Sequence, residues 1–93
     1  MTQWTITKDM LAKPGSSLNA VGLVGPRGAT LTTAEIAAHP QAKQFRLLDD
    51  DHTVYYEGWL VGDDEFAPLD DFGEPSAGCT AVEILENGKW IML

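Results

Sequence analysis

Residues 45–61, FRLLDDDHTVYYEGWLV, decide how this chain folds. Two runs rich in β-branched and aromatic residues flank an acidic break, which is the pattern of a β-hairpin. Short polar residues and His tolerate the left-handed backbone region better than most, so Asp51-His52 reads as a tight two-residue turn. That turn sets Leu48 opposite Tyr55, Leu47 opposite Tyr56, Arg46 opposite Glu57 and Phe45 opposite Gly58. Directly opposed residues share a face. Phe45, Leu47, Val54, Tyr56 and Leu60 then form a core face. Arg46, Leu48, Tyr55, Glu57 and Trp59 form a second, half-apolar face that expects partial cover. A three-residue turn would shift the pairing by one and set Arg46 against core residues, a costly arrangement.

On the C-terminal side, residues 62–78 form a seventeen-residue connection without periodicity. Connections of that length inside a domain are functional or packed by their own side chains. Phe66, Pro68, Leu69 and Phe72 supply enough apolar matter to pin this one over the sheet as a lid. Residues 79–93 close the chain with a second hairpin, turned by Asn87-Gly88, the strongest short hairpin signal. It pairs Glu86 with Lys89, Leu85 with Trp90, Ile84 with Ile91 and Val82 with Leu93.

On the N-terminal side, residues 2–7 alternate, with Trp4 and Ile6 apolar between polar neighbours, and read as a half-buried strand. Pro14-Gly15-Ser16-Ser17 marks a turn-rich connection. Residues 20–24, AVGLV, read as a short strand ended by Gly25-Pro26. The glycines of residues 22–28 fit neither the dinucleotide fingerprint nor the phosphate-binding P-loop. Thr32-Thr33-Ala34-Glu35 has the capping-box pattern, with Leu31 and Ile36 placed as a hydrophobic staple. Pro40 ends the helix that follows and can open a further short turn. Two helical turns are marginal alone, so this helix must dock through Leu31, Ile36 and Ala37. The expectation is one domain over residues 1–93, of α+β class. It consists mainly of an antiparallel, curled sheet of four to five strands with two hairpins and one short α-helix.

Charge and cysteine content narrow the function. The 93 residues carry a net charge of −8, with five Lys/Arg against Asp9 and Glu35 in residues 1–46 and Lys89 alone against twelve acids in residues 47–93. Such a segment repels nucleic acid and anionic membranes and attracts a basic protein surface. No apolar run approaches the length of a membrane span. The N-terminus lacks a basic region followed by an apolar one, so no signal peptide is visible. A lone Cys79 rules out an internal disulfide and fits the reducing cytoplasm.

The candidate binding residues are three acidic clusters: Asp49, Asp50 and Asp51, then Asp63, Asp64 and Glu65, then Asp70 and Asp71. Calcium would need six to eight oxygens, yet the spaced Asp-x-Asp-x-Asp-Gly loop is absent, so no metal and no cofactor is expected. Cys79 could serve as a nucleophile with His39 or His52 as base, but a lone Cys at a strand start is more often a small buried apolar residue. Tyr55, Tyr56 and Trp59 lack the basic setting that nucleic-acid stacking requires.

The pieces FRLLDDD, VYYEG, FAPLDDFG and AGCT, with the opening WTITKD and closing GKWIML, resemble a group of small acidic bacterial proteins of unknown function. Where similar sequences tend to carry Gly at the hairpin tip, this one has His52. The resemblance implies no activity, cofactor or catalytic residue. It implies that the long acidic connection is a defined element. The reading is a non-enzymatic cytoplasmic protein-binding module acting through its acidic loop and hairpin tip. The alternative is an acidic nucleic-acid mimic that inhibits a nucleic-acid-binding protein, of the phage-defence or anti-defence kind. An enzyme using Cys79 or the carboxylates stands third.

Overall fold

The computed structural model describes residues 2–13 and 19–93, so the expected turn at residues 14–17 lies outside the described residues. Six strands form one antiparallel sheet: β1 Gln3–Asp9, β2 Val24–Gly25, β3 Lys43–Leu48, β4 Val54–Val61, β5 Ala81–Glu86 and β6 Lys89–Met92, in the order β2-β1-β4-β3-β5-β6. The expected four to five strands thus fall short by at least one. The shortest is β2, which overlaps the expected AVGLV stretch only at Val24 and pairs Val24 and Gly25 with Thr5 and Trp4. Most of the expected AVGLV strand is instead a turn, in which Leu23 N donates to Ala20 O (3.0 Å) around Gly22 at φ +91°.

The central hairpin pairs Leu47 with Tyr56, Arg46 with Glu57 and Phe45 with Gly58 as expected, but its tip differs. Asp50, Asp51 and His52 make a three-residue turn. His52 N donates to Asp49 O (3.0 Å), Asp49 N donates to Thr53 O (3.1 Å), and His52 sits at φ +63°. The Asp49 carboxylate selects this longer turn, because its Oδ1 accepts from both Asp51 N and Thr53 N at 2.9 Å. Leu48 then faces Val54 rather than Tyr55, and Tyr55 is bulged out of the ladder. One extra residue in the turn and one in the bulge cancel. Arg46 therefore stays off the core face.

That core face buries Trp4, Ile6, Phe45, Leu47, Tyr56, Leu60, Val82 and Ile84, while Val54 beside the bulge is only half-buried. On the other face, Arg46 reaches Glu83 on β5 and stacks over the Trp90 ring at 4.3 Å, leaving Glu57 a ladder neighbour only. The first helix, α1 Thr33–Ala37, covers the Thr5 end of this face. Its capping box is complete: Glu35 N donates to Thr32 Oγ1 (3.2 Å) and Thr32 N to Glu35 Oε1 (2.9 Å). Thr5 Oγ1 and Thr33 Oγ1 lie 2.8 Å apart, and Ile36 is fully buried. The closing hairpin has the expected register, with Asn87 and Gly88 at φ +52° and +78°, the two positive angles of a type I′ turn.

The connection of residues 62–78 is helical from 67 to 77, a feature its composition hides. A π-helical segment, Leu69–Gly73, runs directly into α2, Glu74–Ala77. Pro75 accounts for the widening. In an α-helix its ring would strike the Asp71 carbonyl and its missing N–H would leave that carbonyl unbonded, and a π-turn relieves both. Glu74 N reaches back five residues to Leu69 O. Gly78, at φ +70°, ends the helix in the αL manner, its N–H donating to Glu74 O (3.0 Å), and Cys79 N donates to Gly73 O (3.0 Å). The segment lies over the core face through Ala67, Pro68, Leu69, Phe72 and Gly73. Phe66, expected among these anchors, instead points outward and is 45% exposed. Asp64 Oδ1 accepts from Phe66 N (3.0 Å), turning that residue away just before the helix begins.

Candidate functional site

The lid positions the acidic clusters in a row. It starts after β4 beside Lys43, whose Nζ meets Glu65 Oε2 at 3.0 Å, and ends near the hairpin tip, where Thr80 N donates to Leu48 O (2.9 Å). Asp63, Asp64 and Glu65 therefore stand at its first end. Asp70 and Asp71 lie along its exposed side with Glu74, and Asp49, Asp50 and Asp51 at the hairpin tip lie beyond its last end. Eleven helical residues span about 16 Å. Glu74 was absent from the sequence candidates; its spacing of four from Asp70 would have found it once a helix was recognised.

Several of these acids hold structure. Asp64 N donates to Thr2 Oγ1 (2.8 Å), tying the start of the lid to β1. Asp71 Oδ2 accepts from Trp4 Nε1 at 3.0 Å, satisfying the only polar atom of a nearly buried indole. The Thr53 N–H holds the Asp49 carboxyl below the usual carboxylate range, with the Tyr55 hydroxyl and the Asp51 N–H adding to it. Asp49 in turn pushes the Tyr55 phenol up. Asp63 and Asp70 are exposed. Among the described residues, no three of His, Cys, Asp and Glu converge to hold a metal ion.

Beside the lid runs a trough. A hollow of about 520 Å³ opens between Trp4, residues 23–27, Asp71 and Phe72. Across Phe72 lies a second of about 470 Å³ against Asp9, Leu11, Tyr56 and Ser76. A third, of about 350 Å³, shares Asp71 and Pro26 with the first and is rimmed by Asp63 and Asp64. Phe72 is the wall between the first two. Its ring packs on Trp4 (centroids 5.7 Å apart) and edge-on to Tyr56 (4.8 Å). Arg27 is the cation on the opposite wall. The trough thus offers an aromatic floor with carboxylates on the lid side. Sequence reasoning missed it because its walls are up to 67 residues apart in the chain.

Cys79 lies fully buried beneath the lid, against the position a Gly73 side chain would occupy. Burial pushes its thiol up to about 11, and the Asp49 charge adds to the shift. The folded protein thus holds this proton to higher pH than the unfolded chain, whose thiol titrates near about 8.5. The associated stability is complete below the unfolded value and is lost as pH rises toward 11. The expected loss is roughly 3 kcal/mol, read as a falling urea midpoint, and Cys79→Ala should flatten the part of that slope due to the thiol. A thiol reagent should label the native protein only on unfolding.

No protein-family model, no curated protein and no solved structure matches this chain. No described helix is long and apolar enough to cross a membrane.

Proposed function

We propose that the protein is a non-enzymatic binding module whose acidic lid and adjoining trough receive a basic segment of a partner protein. The observation carrying this reading is that Asp71 borders the hollow walled by Trp4 and Phe72, while Asp63 and Asp64 rim the adjoining one and Asp70 is exposed on the same lid. An apolar side chain of the partner would seat against the rings while flanking Lys or Arg residues meet the lid. Charges of this kind steer encounter and set specificity. The buried, high-pKa Cys79 favours binding over thiol chemistry, because the thiolate is the nucleophile. The segment's strong negative charge disfavours direct nucleic-acid binding. The hairpin tip extends the acidic row and would meet a longer partner, and the cytoplasm suits a protein with a single free thiol.

A labelled peptide with two Lys or Arg residues on either side of one Phe tests this by fluorescence anisotropy. Saturable binding is expected, weakening as salt rises from about 50 to about 300 mM. The double variant Asp63→Asn/Asp70→Asn should weaken it about five- to tenfold without changing the melting temperature, since neither residue makes a structural contact noted above. Absence of binding, or binding indifferent to both salt and the variant, would remove the reading.

A further inference from the structure

The two edges of the sheet are treated very differently. At one edge, β2 is two residues long and is followed directly by Pro26, two devices that discourage further strand pairing. At the other, β6 is four residues long and carries neither Pro nor bulge. Because Leu93 N donates to Val82 O (3.1 Å), antiparallel alternation turns the N–H and C=O groups of Trp90 and Met92 away from β5 toward solvent. The side chains here are apolar on both faces. Ile91, Met92 and Leu93 are 44%, 41% and 44% exposed, a contiguous strip at the sheet margin.

We propose that this edge joins two copies of the chain, β6 against β6 in antiparallel sense, into one continuous twelve-stranded sheet. Charge argues for a second copy as the occupant. Residues 87–93 carry Lys89 and no acidic side chain, whereas the remainder of that half of the chain holds twelve acids. A basic partner is drawn to the lid. Two chains of net charge −8 meet with little repulsion along a strip free of acidic side chains, and the two acids of β5 that neighbour β6, Glu83 and Glu86, lie against Arg46 and opposite Lys89. Geometry agrees. A two-fold axis through Ile91 sets Ile91 opposite the second copy's Ile91 and Trp90 opposite the second copy's Met92, twice, as an isologous interface requires. Trp90 and Met92 are the residues with outward-facing hydrogen-bonding groups, so each such pair exchanges two bonds. It also brings a thioether to an indole that Arg46 already holds in place. The strip is short, well under the roughly 800 Å² per partner of a standard interface, so the dimer is weak.

Sedimentation velocity on the full chain tests this from micromolar to millimolar concentration at low and high salt. A monomer–dimer equilibrium is expected with a dissociation constant on the order of 100 μM. Raised salt should strengthen it by screening the like charges, the opposite of its effect on basic-peptide binding, so failure of one reading leaves the other standing. Met92→Pro removes an outward-facing N–H and the thioether that meets the indole while sparing the N–H groups bonded to β5, and Ile91→Lys places a charge opposite its own copy at the axis. Each should lower self-association at least tenfold while keeping the native circular dichroism. Should one variant misfold, the other decides. A chain monomeric at millimolar concentration in high salt would overturn the proposal. So would a dimer unaffected in a folded variant.

Discussion

Gly58→Ala is expected to be the most damaging single-methyl change in the protein, costing about 4 kcal/mol or more. Gly58 lies in β4 between Ile6 of β1 and Phe45 of β3, where three strands are laddered side by side. A Cβ there would stand 1.9 Å from the Thr5 carbonyl oxygen and 2.8 Å from Phe45 Cζ. The first is backbone of a fully buried residue, and the second belongs to a ring with no exposure at all. The carbonyl cannot yield without parting β1 from β4, which would open the face that carries Trp4 and Ile6, and the ring on β3 is enclosed by the core. A domain of this size has a total stability of roughly 5–14 kcal/mol, so the variant should lose a large fraction of it. Urea unfolding followed by tryptophan fluorescence measures this. A midpoint within error of the parent would mean that β1 and β4 are not paired as described.

What the chain declares locally was legible, and what it builds across distance was not. The Asn87-Gly88 hairpin is readable because a type I′ turn demands two adjacent positive φ angles, which few dipeptides accept. The α1 capping box is readable for a similar reason, being two reciprocal bonds across three residues. The central hairpin was half legible. Its strands alternate clearly, but the choice of turn rested on the Asp49 carboxylate, whose two acceptor bonds a string of three aspartates does not reveal. The lid helix was concealed by Gly73 and Pro75, which ordinarily break helices and here shape a π-turn. Asp64 before Pro68, with acids in the first turn and Gly78 after the last, would have signalled it. The pairing of β3 with β5 joins the two hairpins, and nothing in either hairpin specifies it. The acidic residues of the site could be found by composition, but the trough beside them depends on Trp4 meeting Asp71 and Phe72 across the whole fold.

The lid supplies the second large effect. Phe72→Ala is expected to destabilise the protein by about 3 kcal/mol, the lower part of the range for emptying an aromatic site, because the ring is half-buried rather than fully enclosed. Its contacts are specific. It meets Trp4 on β1 and Tyr56 on β4, so one side chain fastens the middle of the helix to two strands. Aromatic pairs of this kind add about 0.5–1.5 kcal/mol each beyond area burial. Phe66, six residues earlier in the same segment, provides the control. It is nearly half exposed and makes no such contact, so Phe66→Ala should stay within about 0.5 kcal/mol of the parent. Loosening the lid has a further consequence. Cys79 lies against Gly73 of the lid helix, so Phe72→Ala should let a thiol reagent reach Cys79 in mild conditions that leave the parent and Phe66→Ala unlabelled. Equal labelling in all three would show that the lid is held by Leu69 and Pro68 instead, with Phe72 serving chiefly as the wall of the trough. Peptide binding would then be the property that Phe72→Ala destroys.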